Sequence, residues 1–163
     1  MRSCTTPSSS IKMIEGFSPV YDESSSILIL GSFPSVKSRE SSFYYGNRQN
    51  RFWATLQKVF GGEIDTIEHK MDLCLGNGIA LWDIVKRCVV VGSADASIKE
   101  YETVELDDVL SRAPIKKILC NGKLAYELTL SAYKGTLPVI CLPSTSPANP
   151  RFDFELWRAA LEE

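Results

Sequence analysis

Short apolar runs recur along the chain, and small polar residues follow most of them. Four such runs occupy residues 27–30, 79–82, 116–120 and 138–142. Continuous apolar runs of this length between turn signals are typical of strands that are buried on both faces of a parallel sheet. The pattern therefore predicts four strands of a mostly parallel sheet.

Stretches with helical spacing separate the predicted strands. In residues 51–60 the apolar side chains of Phe52, Leu56 and Phe60 fall on one helix face. Less regular patterns occupy residues 104–110, 123–130 and 152–161. Strands that alternate with helices predict an α/β fold, here a three-layer α-β-α sandwich with a short, mostly parallel four-stranded central sheet.

The length and composition fit one intracellular domain. A chain of 163 residues can hold one full core but not two. Residues 1–12 are rich in serine and threonine and predict a disordered lead-in, which leaves residues 13–163 as a single domain. No stretch is long and apolar enough for a bilayer span or a secretory signal. The five cysteines are scattered without a CxxC pair, which favours a reducing compartment, the cytoplasm of a prokaryote or the nucleus of a eukaryote.

Ligands of open α/β sheets bind beyond the carboxyl ends of the strands, so the segments that follow the four runs are candidate binding loops. These segments are residues 31–35, 83–97, 121–122 and 143–149. They are mostly small and polar, and the first and last combine hydroxyl side chains with proline. Their position at one edge of the predicted sheet indicates a binding site.

The residues at this edge exclude several common chemistries. The only histidine, His69, lies elsewhere in a predicted surface helix, so neither a histidine-activated nucleophile nor a histidine-based metal site is expected. The phosphate-binding GxxxxGK(S/T) and dinucleotide-binding GxGxxG motifs are absent. Asp83 is interpreted as a helix cap or loop hydrogen-bonding residue rather than a general base. Neither a metal nor a cofactor is expected.

The groups that remain are backbone amides, hydroxyls, side-chain amides and aromatic rings, which suit a planar, polar, neutral ligand. A nucleobase fits that description, because enzymes that act on bases in DNA stack the extruded base on aromatic rings and hydrogen-bond its edge. The charge distribution is compatible with DNA. Residues 35–58 carry five basic side chains and one acid, a net charge of +4, although the whole chain carries −2.

Several sequence blocks, taken in order, resemble the uracil-DNA glycosylase superfamily, and within it most closely the hypoxanthine (deoxyinosine) DNA glycosylase family. The blocks read GSFPS, FYYG, NRFW, GIALWDIV, NGK and LPSTSPAN. The resemblance extends from about Phe17 to the C-terminus. It implies a monofunctional DNA glycosylase that removes deaminated bases, chiefly hypoxanthine, from DNA in base excision repair, and it implies a monomer.

The resemblance also implies a catalytic residue. The loop of residues 31–35 corresponds to the motif that holds the water-activating side chain in most of the superfamily, but Phe33 stands where mismatch-specific relatives carry an asparagine. We therefore assign catalysis to Asn50, the first residue of NRFW, with an N-cap of the following helix as the alternative role. Leu142 stands where uracil-specific enzymes carry a histidine, which weakens the case for uracil as the main substrate.

Binding roles follow from the same resemblance. Phe43 or Tyr44 corresponds to the aromatic residue that stacks on the base, and Ser32, Phe33 and Asn121 are predicted to line the base pocket. The predicted DNA-binding residues lie in the cationic segment, where the charge distribution and not the resemblance favours phosphate contact by the basic side chains, and in the last loop. They are Ser35, Lys37, Arg39, Arg48, Arg51, Ser144, Thr145, Ser146 and Asn149.

Three other functions remain open from the sequence. The position of Phe33 allows a binding module that recognises damaged DNA without cleaving it. A glycosylase that prefers uracil or mismatches is the second, and an enzyme that acts on free nucleosides or nucleotides is the third.

Overall fold

The computed structural model describes residues 11–91 and 98–162, which contain seven strands and six helices. The strands are β1 (Ile11–Glu15), β2 (Ile27–Gly31), β3 (Ile79–Asp83), β4 (Val85–Val91), β5 (Ile98–Thr103), β6 (Lys117–Asn121) and β7 (Val139–Leu142). The helices are α1 (Val36–Ser41), α2 (Phe52–Phe60), α3 (Ile67–Leu75), α4 (Asp107–Leu110), α5 (Lys123–Ala132) and α6 (Phe154–Glu162). No helix within these residues is long and apolar enough to cross a membrane.

The central sheet has the strand order β3-β2-β6-β7 and is parallel throughout. Its register aligns Ile29 of β2 with Leu81 of β3 and with Leu119 of β6, and all three side chains are buried. Burial on both faces of the sheet explains the apolar sequences of β2, of residues 79–82 of β3 and of residues 118–120 of β6. The four predicted strands are confirmed, each to within one residue at either end.

Helices cover both faces of the central sheet. On one face, α2, α3 and α6 contribute Phe52, Leu73 and Trp157 to a core that includes the odd-numbered positions of β2. On the other face, α4 and α5 contribute Val109 and Ala125 to a second core, which β4 also enters. The predicted three-layer α-β-α sandwich is confirmed.

A second sheet of three antiparallel strands, in the order β1-β4-β5, is not among the predicted elements. β1 and β5 mix apolar and charged residues, and Met13 of β1 is 58% exposed, so these two strands lack the continuous apolar runs of the central sheet. β4 does contain an apolar run, residues 88–91, which the prediction assigned to a loop. Because β4 begins at Val85, the segment after β3 continues as a strand and not as a binding loop. Residues 92–97, the end of that predicted loop, lie outside the described residues.

Element boundaries differ from the predictions where local hydrogen bonds decide them. β1 begins at Ile11, inside the predicted lead-in, of which residues 1–10 lie outside the described residues. α4 is shorter than predicted, since the N–H of Val104 donates to the carbonyl of Ile84 and holds that residue outside the helix. The unpredicted α1 starts after Ser35, whose Oγ caps it by accepting from the N–H of Ser38 (3.1 Å).

All four central strands end at the same edge of the molecule, at Gly31, Asp83, Asn121 and Leu142. Because the strands are parallel, the residues that follow them gather there, which is where ligands of such sheets bind.

Candidate active site

A cavity of about 220 Å³ opens at the carboxyl edge of the central sheet. Its lining comes from the loops after β2 and β7, the loop before α2, and the ends of β3 and β6. The lining residues are 31–35, Ser38, Tyr44, Tyr45, Asn47, Asn50, Asp83, Asn121 and 144–147. This lining contains no Lys, Arg or His, so its hydrogen-bonding groups are hydroxyls, amides and a single carboxyl group.

The floor of the cavity is built where β2 and β3 end side by side. Gly31 pairs with Asp83 in the sheet register. A Cβ atom at position 31 would lie 2.5 Å from Oδ1 of Asp83 and 3.0 Å from Oη of Tyr45. Glycine is therefore required at this position, because any side chain would collide with the carboxyl group and crowd the phenol.

Asp83 is a buried acid with an unpaired oxygen. It is 4% exposed, and its Oδ2 has no hydrogen-bond partner among the described residues. Burial raises the pKa of this carboxyl group to about 7, since the charged form loses its hydration. The interpretation of Asp83 as a helix cap is wrong, because a strand and not a helix follows it.

Tyr45 is the aromatic residue whose hydroxyl reaches the floor of the cavity. Its φ of 53° lies in the left-handed region, which is unusual for a bulky residue, and its ring stacks on Phe52 at a centroid distance of 4.1 Å. Its Oη is buried and has no hydrogen-bond partner among the described residues. Burial raises the pKa of the phenol and the Asp83 carboxyl raises it further, against a smaller opposing effect of the Asn121 side chain.

The two aromatic residues predicted to stack on a base are placed differently. Phe43 is absent from the cavity lining and lies in the core, where its ring stacks on Trp53 at 6.0 Å, so this prediction is wrong as to position. Tyr44 borders the cavity, but it is 2% exposed and its Oη donates to the carbonyl of Ser18 (2.8 Å). Tyr45, the third ring of this run, lines the cavity together with Tyr44.

Asn50 lines the cavity and also helps to start α2. Its Oδ1 accepts from the N–H of Phe52 (2.9 Å), and its own N–H donates to the carbonyl of Asn47 (2.9 Å). The nitrogen of the Asn50 side-chain amide donates to no described residue. The N-cap of α2 is Arg51, so the N-cap role expected as the alternative for Asn50 is wrong. The bond from the N–H of Phe52 instead closes an Asx turn just before the helix, and it fixes the amide beside the cavity. A catalytic role for Asn50 stays a prediction.

The loop after β7 is held by its own side chains and by Asn121. The Asn121 amide donates to Oγ1 of Thr145 and accepts from the Thr145 N–H, both at 3.0 Å. Thr145 lines the cavity but is 1% exposed, and its contact with the DNA backbone stays a prediction. Ser144 and Ser146 line the cavity, and each accepts a backbone N–H through its Oγ. Asn149 donates to the carbonyl of Ser144 (2.9 Å) outside the cavity.

Two of the predicted phosphate-binding cations support loops. Arg51 donates through Nη1 to the carbonyls of Ser146 (3.0 Å) and Asn149 (3.2 Å), which fastens the loop after β7 to the start of α2. Arg39 donates to the carbonyl of Pro34 (2.9 Å) and lies over the Phe33 ring at 5.8 Å. Both cations therefore shape the rim of the cavity, and phosphate contact by them stays a prediction.

The remaining predicted residues divide between the cavity and its surroundings. Ser32, Phe33 and Ser35 line the cavity. Lys37 and Arg48 are exposed on a neighbouring groove and form no ion pair with any described residue. Sequence reasoning considered Asp83 but gave it no role in the chemistry, and it did not single out Tyr45 among the three rings at positions 43–45. The position of Asp83 at the end of a buried strand is the one signal that could have drawn attention to it.

One exposed group of side chains elsewhere could hold a cation. Glu63, Asp65 and His69 bring potential ligand atoms within 4.8 Å of one another, and His69 lies 3.3 Å from Glu63. These residues do not line the cavity, and exposed acidic groups of this kind are common on protein surfaces. The absence of a metal cofactor stays a prediction.

Comparison with known proteins identifies the class to which this fold and cavity belong. The sequence model of the uracil DNA glycosylase superfamily matches residues 18–163. The chain therefore belongs to the uracil DNA glycosylase superfamily, as the resemblance of the sequence blocks implied.

Two relatives and one solved structure are similar to this chain over most of its length. The chain is 35% identical to the hypoxanthine DNA glycosylase of Methanosarcina barkeri (strain Fusaro / DSM 804) over 142 residues, which cover 84% of this chain and 89% of the relative. It is 37% identical to the hypoxanthine DNA glycosylase of Methanosarcina acetivorans, with the same coverage. The solution NMR structure of a candidate uracil DNA glycosylase from M. acetivorans has a TM-score of 0.78 at 33% identity and covers 93% of this chain and 100% of that one.

Proposed function

We propose that this chain is a monofunctional DNA glycosylase that hydrolyses the N-glycosidic bond of deaminated nucleotides in DNA, chiefly deoxyinosine. The observation that carries the proposal is the cavity at the carboxyl edge of the sheet, which is lined by Tyr45, Asn50 and Asp83 and by no cation. The relatives named hypoxanthine DNA glycosylase support hypoxanthine as the base.

The size and lining of the cavity support a single heterocycle as the ligand. Its volume of about 220 Å³ is smaller than the roughly 300–1,000 Å³ of sites that hold drug-sized ligands. A cavity this enclosed admits a base from duplex DNA only after the nucleotide has rotated out of the stack. The polar groups around it can then bind the edge of the base.

In the proposed reaction the bond between C1′ and the base nitrogen breaks, its electron pair leaves with the base, and a water oxygen bonds to C1′. Asn50 is well placed to orient that water, since the N–H of Phe52 fixes its Oδ1 and leaves a second lone pair available. A neutral amide orients water but does not deprotonate it. Most of the rate enhancement must then come from positioning and from stabilisation of the departing base.

The DNA strand is expected to cross the rim formed by α1 and by the loop after β7. Lys37 and Arg48 lie on a groove that shares Asn47 with the cavity, and they are exposed. On the other side, Lys123 and Arg151 line a second groove, which shares Ser144 and Ser146 with the cavity. Cations on both sides of the opening suit the phosphates that flank an extruded nucleotide.

The experiment that tests the proposal uses duplex oligonucleotides that each carry one deoxyinosine, deoxyuridine or deoxyadenosine at the same position. Alkali cleaves the strand wherever a base has been removed. We expect cleavage at deoxyinosine, weaker cleavage at deoxyuridine and none at deoxyadenosine. Preferential binding to deoxyinosine without cleavage would favour the binding module, and release of base from the free nucleoside alone would favour an enzyme on monomers.

A further inference from the structure

The floor of the cavity holds a polar group that the fold leaves without a partner. Asp83 is 4% exposed, lines the cavity, and has a buried Oδ2 that no described residue hydrogen-bonds. Buried polar atoms in folded proteins are nearly always paired, and an unpaired one destabilises the fold. In a binding cavity the missing partner is most simply an atom of the ligand.

The Tyr45 hydroxyl lies at the same point of the cavity, beside Gly31. Its Oη is likewise buried without a hydrogen-bond partner among the described residues, and it lies near Gly31, as does the Asp83 carboxyl. A left-handed backbone at a tyrosine is strained, and strain of this kind is concentrated at functional sites. Two unpaired polar groups thus converge on one small region, where the edge of a bound heterocycle would lie.

The surroundings of Asp83 favour its protonated form up to about pH 7. The titratable groups that face it are the phenols of Tyr44 and Tyr45, from the loop before α2. The ends of β2 and β6 and the loop after β7 contribute Gly31, Asn121, Ser144 and Thr145, none of which is charged. With no described cation to stabilise the carboxylate, burial alone raises the pKa of Asp83 to about 7.

We propose that Asp83 reads the extruded base as a carboxylic acid, its Oδ2–H donating a hydrogen bond to the carbonyl oxygen of the base. This inference rests on the proposed function and adds the chemical basis of its substrate choice. Deamination replaces an amino group of adenine or cytosine with a carbonyl oxygen, so it converts a donor into an acceptor. A protonated Asp83 pairs with the carbonyl of hypoxanthine or uracil and presents a donor to the amino group of adenine or cytosine.

The protonated carboxyl group also assists the departure of the base. When the C1′–N bond breaks, the electron pair that leaves with the base is delocalised toward its carbonyl oxygen, where the Oδ2–H bond becomes stronger. The proton remains shared with Asp83, and the base takes its final proton from the attacking water. An ionised Asp83 would instead place a negative charge beside the departing anion. Guanine has a carbonyl in the same position as hypoxanthine, so its exclusion requires other contacts.

The test compares Asp83→Asn and Asp83→Ala with the unaltered protein from pH 6 to pH 9, in single-turnover release of hypoxanthine from a deoxyinosine duplex. The unaltered protein should lose about tenfold in rate for each pH unit above 7, close to 100-fold by pH 9, as Asp83 ionises. Asp83→Asn keeps a donor at every pH, so it should stay within tenfold of the unaltered rate at pH 6 and show no alkaline loss. Asp83→Ala should be at least 100-fold slower at pH 6. Asp72→Asn, which alters an exposed acid of α3, should reproduce the unaltered profile.

Calorimetric titration with free hypoxanthine over the same pH range is the second measurement. It tests the role of Asp83 in binding the base separately from the glycosylase activity. We expect the unaltered protein to bind hypoxanthine more tightly at pH 6 than at pH 9, and Asp83→Asn to show no such difference. This result supports the role of Asp83 even if no base is released from DNA. Two results would overturn the role of Asp83 and leave the glycosylase activity intact. In the first, Asp83→Asn loses base-release rate above pH 7 as the unaltered protein does. In the second, Asp83→Ala releases base at the unaltered rate at pH 6.

Discussion

Replacing Asp83 with asparagine should make the free protein more stable at alkaline pH, because it removes a carboxylate that the fold cannot solvate. Burial raises the pKa of Asp83 from its ordinary 3.8 to about 7. Below pH 3.8 the carboxyl group is protonated in the folded and the unfolded chain. Between pH 3.8 and 7 only the unfolded chain ionises it, so the free energy of unfolding falls as the pH rises, and above pH 7 the loss is complete.

The size of the effect follows from the same rise in pKa. A difference of about three pH units corresponds to roughly 4 kcal/mol of lost stability once both states are ionised. About half of this loss, roughly 2 kcal/mol, falls between pH 5.5 and pH 8. For a domain of this length that is a decrease in Tm of about 4–8 °C. Asp83→Asn is nearly isosteric and cannot ionise, so its stability lacks this component.

Urea denaturation followed by tryptophan fluorescence measures the difference, since all three tryptophans are buried and Trp82 adjoins Asp83. The stability of Asp83→Asn relative to the unaltered protein should increase by about 2 kcal/mol between pH 5.5 and pH 8. Asp72→Asn is the control for general effects of charge and should show no such change. A relative stability of Asp83→Asn that is the same at both pH values would refute the buried, unpaired state of this carboxyl group.

Two further predictions concern the floor and the rim of the cavity. Gly31→Ala places a methyl group 2.5 Å from Oδ1 of Asp83 and should lower the free energy of unfolding by about 1–3 kcal/mol. This loss of stability should be smaller in a protein that also carries Asp83→Ala. An equal loss in that background would show that the two side chains do not collide. Lys37→Ala and Arg48→Ala should each reduce the salt dependence of DNA binding, by about 0.9 in the slope of log K against log salt concentration. Lys134→Ala, at the amino edge of the sheet, is the matched control, and equal slopes for all variants would place the DNA elsewhere.

The sequence predicts the central sheet well and the second sheet poorly for one physical reason. Strands buried on both faces must be apolar at every position, as in β2, and this produces a run that can be recognised without other information. β1 and β5 have exposed faces and contain charged residues, so their apolar positions resemble those of loops. Their pairing with β4 depends on contacts between distant segments, which local patterns do not report.

The residues of the site likewise include some that the sequence predicts and others that it does not. The polar loops at the carboxyl edge follow from the shared direction of parallel strands, so Ser32, Asn121 and Ser144 could be placed near one another from the sequence. Asn50 was assigned through the family resemblance. The orientation of individual side chains could not. Tyr45 reaches the floor only because its backbone is left-handed, and Phe43, two residues earlier, points into the core. Asp83 is distinctive because it is buried without a partner, a property of the folded chain that its sequence neighbours do not reveal.

Asn50 either acts in base removal or only supports the turn that precedes α2. Asn50→Ser keeps an oxygen that can accept the N–H of Phe52, so the turn before α2 is preserved while the amide beside the cavity is lost. The decisive measurement is chromatographic detection of free hypoxanthine released from a deoxyinosine duplex by the unaltered protein and by Asn50→Ser. We expect the unaltered protein to release one hypoxanthine per abasic site and Asn50→Ser, equally well folded, to be slower by roughly 10²–10³-fold. Release at the unaltered rate by Asn50→Ser, or no release by the unaltered protein, would contradict the account.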